Sequence, residues 1–547
     1  MSTELPAPAV SASVLTERTE KLNTRAAGVV GLAVLCSRVL GLAREQIFAA
    51  LFGGGRVMDA FTIAFRVPNL LRDLFAEGAL STAFVTTFSK TSAVEGDAAA
   101  FHLANKVATL ALVTLSAITV LGIVFASSIV AVLAPGFDPQ KAQLTIMLAR
   151  VMYPFILLVS LAALVMGMLN AKNVFGIPAM ASSFFNLGSI AGGVLIGWRL
   201  DPHFGPRAVL GLAIGTLIGG ALQLCVQLPA LRRLGYHYRP DVHWRDPGVS
   251  AILRLMGPSV IAASSTQVNV LINSIFASQL GDGPTFWLSI AFRLMQLPLG
   301  IFGVALGTVA LPLLARMAAL GNLRAFRDEL ARGLRLAFLM TLPASIGLIV
   351  LAEPIISVLY QHGRFGAHET QEAAGALRFY AIGLSGYAAL KVLVNAFYAL
   401  DHRKTPMIVS FAAVGLNLGL NWLFTWRLGW GHRGLAFSTA CLALTNFLIL
   451  YALMHRHLRR LETRALLGLV VKTLLASAAL AAVCWLSGHY LLAHWALQRF
   501  WPKLLLLAGT IVVAGVAFLG CAAVLRIGEL EEIGRAVGRR FGRAGAR

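Results

Sequence analysis

Charged side chains are scarce in this sequence, at 13% of its 547 residues. An average soluble domain carries about 25%, so the composition lies outside the soluble range. The five cysteines are scattered through apolar segments without a CxxC pair, which argues against a disulfide framework or a cysteine metal site. The period-two alternation typical of an outer-membrane barrel is absent. Residues 1–23 lack the basic-then-apolar order of a signal peptide and are interpreted as a short cytoplasmic tail.

Long apolar runs fill most of what remains, and 58% of all residues are hydrophobic. The runs at 108–134 and 501–525 are longer than the about 20 apolar residues that a helix needs to cross a bilayer. On this criterion about 14 spans are predicted between residues 24 and 526. The predicted fold class is an all-α polytopic membrane protein.

The net charge of +22 is explained by the predicted topology. Lys and Arg concentrate in segments that fall on one side when the spans are counted from a cytoplasmic N-terminus: 231–245, 316–327, 454–464 and 527–547. Because basic loops stay in the cytoplasm, both termini are expected there. No nucleic-acid partner is expected.

Two parts of the chain contain matching sequence segments. IFAALFGGG at 47–55 matches IFASQLGDG at 275–283, and IAFR at 63–66 recurs at 290–293, at offsets of 228 and 227 residues. This constant spacing predicts two parallel six-helix repeats, related by an axis along the membrane normal, with a cleft between them. The predicted organisation is a tail (1–23), the first repeat (24–230), a cytoplasmic linker (231–249), the second repeat (250–456), two further spans (457–526) and a basic cytoplasmic tail (527–547).

Charged residues interrupt three of the predicted spans. Span 1 carries Arg38, Arg44 and Glu45, and span 8 carries Arg293. On span 2, Asp59, Arg66 and Asp73 are spaced by seven residues and therefore lie on one stripe of the helix. Asn69, Arg72 and Glu77 lie nearby. Each Arg near the bilayer centre costs about 2.5–3.5 kcal/mol on insertion scales, so several of them cannot face lipid.

Two explanations of these charges remain open. In the first, the charges pair internally, Arg66 with Asp59 or Asp73 and Arg44 with neighbours of Glu45. In the second, the arginines line a hydrated cavity, where they outnumber the carboxylates and favour a phosphate or diphosphate anion. Motifs for nucleotide binding or metal-assisted hydrolysis are absent. A cavity between two rocking halves indicates a transporter and not an enzyme.

Several motifs closely resemble the MurJ family, the lipid II flippases of bacterial peptidoglycan synthesis in the MOP exporter superfamily. The matching segments are SRVLGLARE (37–45), DAFTIAFRVPNLLRDLFAEGALSTAFV (59–85), APGF (134–137), MGPS (256–259), FRLMQLPLGIFGVALGTVALP (292–312) and FYALDHRKTP (397–406). The resemblance implies a bacterial inner-membrane protein with two six-helix lobes around a central cavity. It also implies that spans 13 and 14 form a groove for the undecaprenyl tail.

The resemblance further implies roles for individual residues. The family's essential cavity arginines and its essential aspartate fall on Arg38, Arg44, Arg72, Arg293 and Asp59, which are implied to bind the substrate. Further cavity or gate residues are predicted at Glu45, Arg66, Asn69, Asp73, Glu77 and Gln296.

Three departures from the family pattern affect these predictions. Glu45 stands where Asp is common, and Gln296 stands where Glu is frequent, so Arg293 is expected to lose a local partner. Some members bind sodium through Asn and Asp side chains. Here Asn417 and Asn421 offer amides without a carboxylate, which favours ordinary interhelical hydrogen bonding. No cofactor is expected, and the energy source is expected to be the membrane potential or coupled H⁺ or Na⁺.

The expected function is alternating-access transport of lipid II from the cytoplasmic to the periplasmic leaflet. The expected partners are lipid II and membrane lipids, with the chain acting as a monomer; association with cell-wall synthesis proteins stays open. The main alternative is a flippase for another undecaprenyl-diphosphate-linked oligosaccharide, of O-antigen type. A cation-drug antiporter is disfavoured by the basic cavity, and a glycosyltransferase by the short outer loops. A non-transporting scaffold would leave the arginines dispensable.

Overall fold

The computed structural model describes residues 24–73, 80–458, 461–491 and 500–530, and every regular element within them is a helix. The N-terminal half contains α1 (Thr24–Phe52), α2 (Arg56–Leu71), α3 (Leu80–Val94), α4 (Asp97–Val124), α5 (Ala126–Leu133), α6 (Pro139–Met152), α7 (Phe155–Ala171), α8 (Gly176–Leu200), α9 (Val209–Cys225) and α10 (Leu228–Arg233). The tail 1–23 and most of 527–547 lie outside the described residues.

The remaining helices form the C-terminal half and two further helices. The half contains α11 (Pro247–Ser278), α12 (Pro284–Pro298), α13 (Val304–Ala319), α14 (Leu323–Val350), α15 (Ala352–Tyr360), α16 (Ala367–Ile382), α17 (Leu384–Ala399), α18 (Lys404–Trp422) and α19 (Gly431–Leu458). The chain then continues with α20 (Thr463–Leu486) and α21 (Phe500–Val524). Three π-helical turns, Leu299–Gly303, Leu423–Arg427 and Ser487–Leu491, extend α12, α18 and α20.

The membrane class predicted from composition is confirmed. Among the described residues, ten helices are long and apolar enough to cross a membrane, or up to eleven if α16 and α17, bent by 41°, form one span. Helices α1, α2 and α11 are not among the ten, and these three carry charged or amide side chains that face the interior. The exact number of 14 spans and the two six-helix repeats stay predictions.

Helix ends follow local sequence signals. The Asp138 carboxylate accepts hydrogen bonds from the backbone N–H groups of Gln140 and Lys141 at 3.1 and 3.2 Å, with Pro139 in the first helical position of α6. Asp246 caps α11 in the same way, ahead of Pro247. Asp or Asn caps followed by proline are typical helix starts, because they satisfy or omit the free N–H groups of the first turn.

Helix packing determines where the charged helices lie. Helices α8 and α9 meet along a seam of glycines so close that a Cβ on Gly215 would lie 2.4 Å from the backbone nitrogen of Gly193. Such small-residue seams allow close helix contact in a bilayer. Helix α1 packs against α8, and α2 packs against both α6 and α12. Helices α20 and α21 pack against each other and reach the rest of the protein mainly through α14.

Candidate functional site

A buried carboxylate joins the two halves at the end of the bundle remote from Thr24. Asp59, in the first turn of α2, is completely buried. Its side chain accepts hydrogen bonds from the backbone N–H groups of Gly283 and Phe286, at 2.7 and 2.8 Å, and from Lys141 Nζ at 2.9 Å. The carboxylate therefore caps the N-terminus of α12, where the helix dipole stabilises a negative charge.

Lys141 extends this contact. Its ammonium, 2% exposed, also donates to Asp282 Oδ1 at 2.8 Å and to the Gly281 carbonyl at 3.3 Å. It lies 4.1 Å from the centre of the Phe137 ring. A buried lysine is stable only when its charge is paired and its donors are used, and both conditions are met here. We call Arg56, Asp59, Lys141, Asp138 and Asp282 the interhalf contact.

Arg56 is the outer member of the interhalf contact. It forms an ion pair with Asp138 and lies 3.8 Å from Asp282 Oδ2. The hydrogen bond from Arg56 holds the pKa of the Asp138 carboxyl below its usual range. Sequence reasoning did not single out Lys141 or Asp282. The only available signal was that a buried Asp59 needs a cation, which does not identify the cation.

Glycines bring the two halves into backbone contact around these charges. A Cβ on Gly136 would lie 2.4 Å from the Cα of Gln279 in the other half. Gly363, at φ +59°, allows the Arg364 N–H to donate to the Ala50 carbonyl at 2.9 Å, and a Cβ there would lie 2.3 Å from the same oxygen. This end of the bundle is closed by hydrogen bonds, ion pairs and direct backbone packing.

Asp59 was predicted to bind substrate together with the arginines. In this conformation both of its carboxylate oxygens are occupied within the interhalf contact. Its contact with substrate stays a prediction that requires the two halves to separate.

Four arginines lie on α1, on α12 and directly after the last residue of α2. Arg293 Nη1 pairs with Glu45 Oε1 at 2.5 Å, and Arg72 Nη2 pairs with Asp73 Oδ1 at 2.9 Å. The Arg44 guanidinium lies 5.0 Å from the centre of the Phe185 ring. Arg44 is adjacent on α1 to Glu45, the residue that pairs with Arg293. We call Arg38, Arg44, Arg72 and Arg293 the arginine cluster.

Arg38 is the fourth member of the arginine cluster. Its guanidinium lies against the backbone of Gly300, two turns beyond Arg293, where a Cβ would be 2.9 Å from Nη1. Arg38 is exposed. Among the described residues, the carboxylates paired within the cluster are Glu45 and Asp73, so guanidinium charge is in excess. Glu77, also predicted here, lies outside the described residues.

Glu45 corrects one expectation about Arg293. The Gln296 substitution was expected to leave Arg293 without a local partner on α12. The partner comes instead from α1, because Glu45 pairs with Arg293 and also accepts a hydrogen bond from the Tyr360 hydroxyl at 3.3 Å. Gln296 is exposed on α12, and Asn69 is partly buried on α2.

Internal ion pairing of Arg66, the first explanation above, is wrong for the described residues. Asp59 pairs with Lys141 and Asp73 pairs with Arg72, so neither carboxylate pairs with Arg66. The Arg66 side chain instead enters a cavity of about 210 Å³ inside the C-terminal half. Its Nε is buried there without a hydrogen-bond partner.

Amides and hydroxyls line most of the polar surface of this cavity, which we call the C-half cavity. Its polar lining residues, besides Arg66, are Ser265, Thr266, Asn269, Asn273, Ser274, Thr285, Ser289, Tyr380, Tyr387, Ser410, Asn417, Thr439 and Asn446. Helices α11, α12 and α16–α19 supply them. The lining contains no carboxylate, and Arg66 is its only charged member within the described part of the chain.

The weak sodium candidates predicted at Asn417 and Asn421 lie in a network of amide hydrogen bonds, in which Asn421 Oδ1 is buried without a partner. The Nδ2 atoms of Asn417 and Asn421 donate to Asn273 Oδ1 at 3.2 and 2.8 Å, so that oxygen is already used. Ser438 donates to Asn417 Oδ1 at 3.2 Å. No carboxylate offsets the ion's charge, and Arg66 places a positive charge in the same cavity. Among the described residues, no group of three or more His, Cys, Asp or Glu side chains is arranged to hold a metal ion.

Comparisons with known proteins agree with the fold and the motifs. A family model described as "Lipid II flippase MurJ" matches residues 48–506. The "Lipid II flippase MurJ" of Burkholderia cenocepacia is 37% identical over 423 residues, covering 76% of this chain and 81% of the relative. The "Probable lipid II flippase MurJ" of Buchnera aphidicola (subsp. Acyrthosiphon pisum) is 33% identical over 500 residues, covering 91% and 96%.

Solved structures show the same fold. A structure titled "Lipid II flippase MurJ, inward closed conformation" superposes with a TM-score of 0.74 at 24% identity, covering 91% of this chain and 98% of that one. An inward-facing multidrug resistance MATE family transporter of the MOP superfamily gives a TM-score of 0.67 at 16% identity, covering 77% and 94%. The family model spans most of the chain and the relatives match over most of their length, so this chain belongs to the MurJ family.

Proposed function

We propose that this chain translocates lipid II, the undecaprenyl-diphosphate-linked disaccharide peptide, from the cytoplasmic to the periplasmic leaflet of the bacterial inner membrane. The observation that carries the proposal is the arginine cluster, in which guanidinium charge exceeds the paired carboxylate charge. The names of the relatives support lipid II as the substrate. The activity is transport and not catalysis.

The arginine cluster binds the diphosphate of the lipid. Guanidinium groups present planar pairs of donors that match phosphate oxygens, and they keep their charge at all physiological pH values. Arg38 offers its guanidinium directly because it is exposed. Arg293 and Arg72 exchange their contacts with Glu45 and Asp73 for contacts with phosphate. The undecaprenyl tail stays in the lipid, along the groove assigned to α20 and α21.

Transport proceeds by alternating access. In the described conformation the interhalf contact closes one end of the bundle, which the positive-inside distribution of Lys and Arg assigns to the periplasmic side. Opening that end breaks the contacts of Lys141 with Asp59 and Asp282. The energy comes from the membrane potential or from coupled H⁺ or Na⁺, since one charge moved across 100 mV is worth about 2.3 kcal/mol. Arg66 places a positive charge in the C-half cavity, and no carboxylate lines that cavity within the described residues, which favours the membrane potential or H⁺ over sodium.

The finer architecture belongs to this proposal. It comprises 14 spans, with both termini cytoplasmic, arranged as two parallel six-helix repeats (24–230 and 250–456) joined by the linker 231–249. The packing of α2 against α12, which carry the two copies of IAFR, supports the repeat. Residues 457–526 form the tail groove, and the protein acts as a monomer.

Complementation of a bacterium depleted of its own MurJ tests the function. We expect growth with this chain, and lysis with well-expressed Arg38→Ala, Arg72→Ala or Arg293→Ala variants. Rescue by all three variants would contradict the diphosphate site and favour a non-transporting scaffold. Failure of the parent chain at a normal membrane level would favour the O-antigen type of substrate, which the family matches do not.

A further inference from the structure

We propose that the C-half cavity binds one sugar ring of a diphosphate-linked glycolipid while the arginine cluster holds the diphosphate. The proposal rests on the proposed function and adds a second subsite to it. It concerns the cavity lined by α11, α12 and α16–α19, into which Arg66 projects from α2.

The lining, which combines apolar side chains with amides and hydroxyls, favours a neutral ligand that has both polar and apolar faces. Amide and hydroxyl groups dominate its polar surface, and no carboxylate is present among the lining residues. A cationic ligand would meet Arg66 without a compensating charge. A fully apolar ligand would leave the amide oxygens of Asn269 and Asn446 without hydrogen bonds.

Several residues that line the cavity carry buried donor or acceptor atoms without a hydrogen-bond partner. The Nε of Arg66 is a buried donor without a partner, and the Oδ1 atoms of Asn269 and Asn446 are buried acceptors without partners. The Oγ1 of Thr285, which can donate and accept, is also unpartnered. A simple anion would satisfy only the donors and a metal ion only the acceptors. Sugar hydroxyls and N-acetyl groups supply both.

Aromatic rings provide the remaining part of a carbohydrate site. Phe292 and Tyr380 line the cavity with their ring centres 5.4 Å apart and their planes at 62°, and Tyr387 also lines it. A pyranose ring has an apolar C–H face that packs on such rings while its hydroxyls reach the surrounding amides. The volume of about 210 Å³ is below the 300–1,000 Å³ typical of drug-sized ligands, and it suits a single ring.

The position of the cavity fits a sugar that is attached to a bound diphosphate. Phe292 lines the cavity and the next residue, Arg293, belongs to the arginine cluster. Arg66 lies on α2, which packs against α12, the helix that carries Arg293. A diphosphate held by Arg293 therefore presents its first sugar at the mouth of the cavity, with Arg66 between the two subsites.

Binding of two lipids separates the subsite from the diphosphate site. The full-length protein in lipid nanodiscs is titrated with undecaprenyl diphosphate and with the same lipid carrying one N-acetylhexosamine. We expect the parent chain to bind the sugar-bearing lipid more tightly. An Asn269→Leu/Asn446→Leu variant should lose about tenfold affinity for the sugar-bearing lipid and keep its affinity for undecaprenyl diphosphate.

Two further variants make the result specific. Thr285→Val removes an unpartnered hydroxyl without changing the shape of the side chain, so it should fold normally and lower the affinity for the sugar-bearing lipid alone, by about threefold. Asn105→Leu makes the same exchange as the double variant at a buried amide of α4 that does not line the cavity, and should change neither affinity.

The outcomes distinguish the two proposals. Equal affinity of the parent chain for both lipids, or equal losses for both lipids in the cavity variants, overturns the sugar subsite and leaves the diphosphate site intact. A parent chain that binds neither lipid overturns the proposed function as well. Stabilisation of the protein by NaCl over choline chloride that disappears in the double variant would assign the cavity to sodium and contradict the sugar.

Discussion

The interhalf contact and the arginine cluster both place charged side chains in membrane helices, but they satisfy those charges differently. In the contact, Lys141 and Asp59 are buried, paired and fully hydrogen-bonded within the protein. In the cluster, Arg293 is 45% exposed, and the arginines outnumber the carboxylates that pair with them among the described residues. The comparison teaches that a charge in a membrane helix is structural where the protein satisfies it and functional where the protein leaves that to a ligand.

The largest expected effect comes from removing one member of the buried pair. Lys141→Met leaves Asp59 buried without its cation, which typically destabilises a protein by about 3–5 kcal/mol. Thermal unfolding in detergent measures the loss. Lys172→Met is the matched control, because Lys172 pairs with an Asp97 side chain that is 61% exposed, and such pairs contribute about 0–1 kcal/mol. Equal losses in the two variants would show that the interhalf contact is no more structural than a surface pair.

An intermediate effect is expected where the halves meet by backbone packing. Gly136→Ala adds a Cβ that would lie 2.4 Å from Gln279 Cα, so the two halves must separate locally, at about 1–3 kcal/mol. Gly468→Ala on α20 is the control, because a Cβ there meets nothing within 4 Å. We expect cysteine cross-linking across this end of the bundle to fall in Gly136→Ala and not in Gly468→Ala. Unchanged cross-linking in both would argue against a tight closure.

The smallest expected effect on stability is at the arginine cluster. Arg38→Ala removes an exposed cation from a group of like charges, so the free energy of unfolding should change by no more than about 0.5 kcal/mol. The same variant should abolish growth in the complementation assay. A loss of stability as large as that of Lys141→Met would mean that Arg38 is a structural residue, and the distinction between the two regions would fail.

The sequence identified the residues of the arginine cluster more completely than those of the interhalf contact. Arg38, Arg44, Arg72 and Arg293 stood out because uncompensated arginines in apolar helices are costly wherever they lie, and the family resemblance fell on the same residues. Lys141 did not stand out, because it follows a loop and an ordinary Asp–Pro helix start. The pairing of Arg293 with Glu45 joins helices that are 248 positions apart in the chain, and no spacing rule reaches that far.

The ion pairs predicted for Arg66 show the same limit of sequence spacing as a guide to contacts. The spacing of Arg66 from Asp59 and Asp73 predicted that the three residues share one stripe and suggested mutual ion pairs, whereas α2 carries Asp59 and Arg66 and ends at Leu71, before Asp73. In the structure, each carboxylate pairs with another cation. Helix α6 places Lys141 next to Asp59, and the adjacent Arg72 pairs with Asp73. Helical spacing identifies the residues that share a face, but the neighbouring helices decide which groups that face meets.

The sequence by itself determined the membrane class, the apolar helices, the basic segments and the excess of arginine in spans that should be apolar. These properties depend on transfer from water to lipid, which acts on each segment separately. Only the tertiary structure decided that Asp59 caps a helix of the other half, that Glu45 partners Arg293, and that Arg66 enters a cavity lined by amides. Those outcomes depend on distances between segments that packing alone sets.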